Sequence, residues 1–148
     1  MSLIRSSIGR RTSSGTAAAA ALEIIAGARA LFVREVVIAL AAATASTFGL
    51  GRPAAKGITP TSPVTSLSEQ PGDAVSTATT AVAWGTGPTV PADFFRRVGF
   101  PAVIGSTITW YFNNGLFIPA SGSLVIWNIG TNGVCDVTFF TEEQGPSI

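Results

Sequence analysis

The stretch Ser106–Glu142, STITWYFNNGLFIPASGSLVIWNIGTNGVCDVTFFTE, constrains the fold more than any other part of the chain. Thr107, Thr109 and Tyr111 alternate with Ile108, Trp110 and Phe112, the period-two pattern of a half-buried strand. Asn113-Asn114-Gly115 suits a tight hairpin turn, whose central residues must tolerate positive φ. Leu116–Pro119 then reads as a short return strand, ended by a proline that cannot donate to a ladder. Ser121-Gly122 turns the chain into Leu124–Ile129, a strand apolar on both sides. After a turn at Gly130–Gly133, Val134–Thr141 runs back, placing Val137 and Phe139 opposite Asp136, Thr138 and Phe140. The expectation is an antiparallel meander that supplies much of the core.

The length of 148 residues suits one domain with a real core. Only 11% of the residues are charged and the mean hydropathy is +0.45, so the chain either enters a membrane or hides surface in an assembly. A net charge of +1 makes no electrostatic case for nucleic acid. Histidine is absent, which removes the commonest general base and metal ligand. The single Cys135 is expected to be a buried, inert thiol, since no electropositive setting surrounds it. These absences predict no enzyme, no cofactor and no metal site.

Residues 1–16, with Arg5, Arg10 and Arg11, read as an extended N-terminal arm, and residues 17–148 as a single domain. The uncharged run Val36–Leu50 is about fifteen residues, short of the roughly 18–20 that span a bilayer. Glu35, Arg34 and Arg29 stand directly before it, so no membrane partner is expected and a membrane-anchored or secreted protein is a secondary alternative. Local pattern leaves helix and strand open over Ala30–Ala42; the strands downstream favour strands at Ala21–Ala26 and Ala30–Ala42. In the second, Phe32, Arg34, Val36, Ile38 and Leu40 would share one face, and Leu31, Val33, Glu35 and Val37 the other, a strand between two packed layers. Gly49–Ala74 is loop by composition, with Pro53, Pro60, Pro63 and Pro71. Val75–Trp84 reads as a strand, Phe94-Phe95 as a cap, and Arg96-Arg97 as facing solvent or a neighbouring subunit.

No carboxylate constellation stands out. Glu142 and Glu143 point to opposite faces of a solvated tail, while Arg34 and Glu35 are each expected to find an opposite charge. Gly49-Leu50-Gly51-Arg52-Pro53 lacks the strand–turn–helix setting and Gly-Lys-Ser ending of a phosphate loop, and Arg52 suits a loop anchor. Trp84, Trp110 and Trp127 fit a core better than a carbohydrate platform.

The segments Leu22–Pro60, Ala81–Pro91 and Gly115–Glu143 resemble small structural proteins of tailed-bacteriophage particles. Gly49–Pro53 and Ile118–Asn128 carry the resemblance most strongly. It implies an all-β protein: an antiparallel β-sandwich, jelly-roll-like, here with the arm added. It further implies a virion structural protein assembled in the host cytoplasm. The leading expectation is a capsid decoration (cement) protein; the alternative is a tail, baseplate or fibre-attachment component. Expected partners are the major capsid protein or other virion subunits and further copies of the chain, with a trimer first. Arg5, Arg10, Arg11, Arg52, Pro53, Arg96 and Arg97 are the candidate inter-subunit contacts.

Overall fold

The computed structural model describes residues 3–144. Among these there is no helix, and the strands in chain order are β1 (Leu3–Arg11), β2 (Ala19–Ile25), β3 (Leu31–Leu40), β4 (Ser46–Gly51), β5 (Ile58–Pro60), β6 (Val64–Thr65), β7 (Leu67–Ser68), β8 (Thr79–Ala81), β9 (Trp84–Thr86), β10 (Arg96–Phe100), β11 (Thr107–Ile118), β12 (Ser123–Asn128) and β13 (Cys135–Gln144). They form a five-stranded sheet in the order β11-β3-β13-β1-β7, a six-stranded sheet β10-β4-β12-β2-β8-β6, and a small β5-β9 pair. All pairings are antiparallel.

From β1 to β4 and again from β10 to β13 the successive long strands alternate between the two large sheets, whereas β4 and β10 pair within the six-stranded one. The inward residues of both enter one core cluster: Ile8, Val33, Val36, Ile38, Val137 and Phe139 from one sheet meet Leu22, Ile24, Phe48, Leu50, Leu124 and Ile126 from the other. Burying these side chains supplies the main driving force, on the order of 1.5–3 kcal/mol for each large one.

The expected N-terminal arm is corrected first. Leu3–Arg11 pairs with β13 along its whole length, from Leu3↔Gln144 to Arg11↔Asp136, and buries Ile4 and Ile8. The bland composition conceals a strand with Ile4, Ser6 and Ile8 inward and Arg5 and Arg11 outward, so these residues are not a free extended arm.

The expected meander is also corrected. β12 pairs with β2 and β4, whereas β11 and β13 flank β3 in the other sheet. Asn113-Asn114-Gly115 makes no hairpin turn: Thr107–Ile118 is one strand with a bulge in which the four residues between Tyr111 and Leu116 face only Arg34. At the same level β3 carries an irregularity against β13, since Glu35 and Val33 oppose the consecutive Phe140 and Thr141. The alternation therefore changes phase at Arg34-Glu35. Leu31 and Val33 point inward with Val36, Ile38 and Leu40, and Phe32 points out, contrary to the simple period-two assignment.

Gly49–Ala74 is not a structureless loop. Gly49–Gly51 belongs to β4, β5 pairs with β9, and β6 and β7 extend the edges of different large sheets. Of Val75–Trp84 only Thr79–Ala81 joins the six-stranded sheet, and Trp84 opens β9.

The second face of β12 is where the largest packing surprise lies. Val125 and Trp127 are fully buried yet stand outside the main core cluster, as do Glu23 and Ala81 beside them. They lie under a cover formed by residues 52–61 and 83–95. Backbone bonds Ala54 N to Thr89 O (2.9 Å), Thr89 N to Ala55 O (2.8 Å) and Thr61 N to Ala83 O (2.8 Å) hold its two arms together. Phe94 rests on Gly49 and Gly51, where a built Cβ would stand 2.9 and 3.1 Å from its ring, so small residues are required there.

Candidate interaction surface

Among the described residues no group of three or more His, Cys, Asp or Glu is placed to bind a metal. Cys135 is fully buried beside the Thr12 hydroxyl (3.3 Å), and burial pushes its thiol up to about 11, so it is a poor nucleophile near neutral pH.

The carboxylates serve the fold. Glu23 is fully buried and accepts from Trp84 Nε1 (3.0 Å), Gly57 N (3.2 Å) and Ser123 Oγ (2.7 Å), which fastens the cover to the six-stranded sheet. Glu143 is likewise fully buried, not part of a solvated tail. It accepts from Thr77 N and Oγ1 (both 2.9 Å) and Arg29 Nη2 (3.1 Å), tying residues 75–77 and the β2–β3 connection to β13. Glu142 lies on the opposite, outer face, as the strand geometry requires, and pairs with Arg5 (3.3 Å) and Arg34 (3.5 Å). Arg34 also pairs with Glu69 at 3.0 Å, whereas Glu35 has no ion pair among the described residues.

Of the seven candidate contact residues, Pro53 follows Arg52 out of β4 and is half-buried, and the six arginines divide into two groups. Arg5, Arg10 and Arg11 have partners inside the chain: Arg5 has Glu142, and Arg11 makes a two-pronged bond to Asp136 at 2.8 and 2.9 Å. That guanidinium holds the Asp136 carboxyl below its ordinary value. Arg10 Nη1 donates to Thr80 O (3.1 Å) and Oγ1 (3.0 Å), joining the five-stranded sheet to β8 of the other.

Arg52, Arg96 and Arg97 behave differently. Antiparallel pairing sets Arg96 against Leu50 and Arg97 against Gly49, so both sit at the end of β4 where Arg52-Pro53 leaves it, on opposite faces of β10 at the sheet's rim. Each guanidinium lies over a phenylalanine: Arg52 over Phe95 at 5.3 Å, Arg96 over Phe112 at 5.1 Å and Arg97 over Phe94 at 5.6 Å. These stacks hold the flat cations in place, and Arg96 Nη1 also donates to Phe95 O (2.9 Å), which leaves the remaining N–H groups to donate outward. None of the three has an ion pair among the described residues. The rim also belongs to an edge strand, since β10 ends its sheet.

The aromatic partners Phe94, Phe95 and Phe112 are the part of this surface that sequence reasoning missed. The signal was the adjacency of two phenylalanines and two arginines in Phe94-Phe95-Arg96-Arg97; the contribution of Phe112 depends on β11 lying near β10 in space. Compared with protein-family models, curated proteins and solved structures, the chain has no match.

Proposed function

We propose that this chain is a structural subunit of a tailed-bacteriophage virion, most specifically a capsid decoration (cement) protein that acts by binding alone. The observation that carries the reading is the rim of Arg52, Arg96 and Arg97. The other arginines, Arg5, Arg10, Arg11, Arg29 and Arg34, bond to side chains or backbone of distant segments, whereas these three stand on aromatic rings without a carboxylate, Arg96 Nη1 donating to the carbonyl of the adjoining Phe95 at 2.9 Å. Such a rim suits an acidic strip on a shell protein, and Arg and aromatic side chains are the usual energetic anchors of interfaces. Many weak copies acting together on a symmetric shell supply the affinity.

The strand order supports the fold half of the proposal. The rows β1-β13-β3-β11 and β2-β12-β4-β10 support a jelly-roll-like reading, an architecture used by viral capsid and lectin domains. This is fold-level analogy and specifies no activity by itself. Self-association, with a trimer as the first expectation, would use the same rim and its β10 edge.

Quantitative mass spectrometry of purified virions is the test. Copy numbers matching the symmetry of the shell support decoration, a ring-sized number moves the chain to the tail or baseplate, and absence from particles overturns the virion reading. Within that experiment, Arg96→Glu with Arg97→Glu should abolish incorporation while the circular dichroism of the free chain stays unchanged. Normal incorporation of this variant removes the rim from the proposal.

A further inference from the structure

The bulge in β11 does more than shift register. Opposite the single Arg34, it lifts Asn113 and Asn114 off the outer face of the five-stranded sheet. Gly115 makes this possible: its φ is +74°, and a Cβ there would stand 2.8 Å from Phe32 Cβ. The result is a groove of about 400 Å³, bordered by Asn113 and Asn114, floored by Phe32, Arg34 and Glu142, and reaching Leu3 on β1. From β11 to β1 it crosses three strand spacings, about 14 Å.

We propose that this groove binds a neutral saccharide, on the scale of a disaccharide. Three features of its lining point to that chemistry. The Phe32 ring is 40% exposed and is braced by Phe117 at a centroid distance of 5.3 Å, which fixes an aromatic face on which the C–H face of a pyranose can rest. The amides of Asn113 and Asn114 are exposed and make no hydrogen bond among the described residues, so both donors and acceptors are free for hydroxyls. The ionic groups cancel: Arg5 and Arg34 are paired with Glu69 and Glu142, two positive and two negative charges in one network. A phosphorylated or carboxylated ligand would gain little from such a site, and a purely apolar one would strand the amides and the ion pairs. A hydroxylated neutral ligand satisfies both constraints. Phe112, the ring under Arg96, also lines the groove, so the two surfaces adjoin, but the inference does not rest on the virion reading.

The experiment is saturation-transfer NMR of the full chain with maltose, lactose and diacetylchitobiose as probes. At least one should show saturable transfer, and Phe32→Ala should weaken its binding about tenfold or more. The double variant Asn113→Ala with Asn114→Ala, confined to the exposed bulge, should do the same and keeps the test decisive if Phe32→Ala fails to fold. Arg97→Ala, on the rim, should leave binding unchanged. Absence of transfer from all three sugars overturns the proposal, as does undiminished binding in the bulge variant. Tighter binding of glucose 6-phosphate than of the neutral sugars overturns the assignment of ligand class.

Discussion

The two large sheets share one core, but their outer faces are finished differently. The six-stranded sheet buries both sides of β12: Leu124 and Ile126 face the core, and Val125 and Trp127 lie under residues 52–61 and 83–95. The five-stranded sheet has no such cover among the described residues. Its outer face leaves Phe32, Phe117 and Tyr111 in solvent, the last at 68% exposure, with Val37 and Ala39 half-buried between. Both central strands look alike in sequence, since β3 and β12 are each apolar on two sides. One has found its second partner within the chain. The other presents a face on which a ligand groove has room to form, and the low charge of the chain follows from having three apolar faces to fill and a fourth left open.

The strongest way to break this comparison is a matched truncation. Trp127→Ala should cost about 3–5 kcal/mol in chemical denaturation, because a buried ring and its bond from Nε1 to Gly51 O (3.0 Å) are both lost. Tyr111→Ala on the bare face should stay within about 0.5 kcal/mol. Equal losses would mean that the outer face of the five-stranded sheet is covered after all.

Glu23→Ala comes next. It orphans Trp84 Nε1, Gly57 N and Ser123 Oγ beneath the cover and should cost about 2–3 kcal/mol. Hydrogen exchange should accelerate at Gly57 and across β5–β9 while β3 and β13 stay protected. Uniform acceleration would show that the cover does not open on its own.

Gly115→Ala acts on the open face. It forces a Cβ into positive φ against Phe32 and should cost about 1–3 kcal/mol, with loss of the groove seen as altered Phe32 and Phe117 ring resonances.

Asp136→Asn should have the smallest effect, because the Arg11–Asp136 pair is half-exposed and salt-screened. Its sign is defined. The folded Asp136 has a lowered pKa, so its contribution is present at neutral pH and is lost as pH falls from the ordinary value of 3.8 through the lower folded value. A pH titration of stability for wild type and variant should converge below that range; divergence there would assign the acid transition to other carboxylates.

Much of the fold was legible residue by residue. The alternation in Thr107–Phe112, the two-sided apolarity of Leu124–Ile129 and the inert setting of Cys135 all appear in the structure as read. The Ala-rich first third, ambiguous between helix and strand, became β2 and β3. The failures share one character. Leu3–Arg11 was read as an arm because Ser, Gly and Arg alternate with only a few apolar residues, and nothing local reveals that β13 is waiting to pair with it. Asn113-Asn114-Gly115 has the composition of a turn and also suits a bulge; which one forms depends on whether β3 continues alongside. Arg52, Arg96 and Arg97 could be named individually, but their gathering on one rim with Phe112 needed β10 and β11 near each other in space.

By itself the sequence determined the strand-rich character of the chain, its lack of histidine and its single cysteine, because the period-two placement of apolar residues and the presence or absence of a side chain are local facts. Only the tertiary structure decided which strands cross between the sheets, that the phase of β3 changes at Arg34, and that, among the described residues, one outer face is covered and the other left open. The backbone hydrogen bonds of a ladder are the same for any partner strand. The choice of partner, the register and the bulges are therefore settled by which complete set of faces can be buried at once, and no single stretch of sequence contains that comparison.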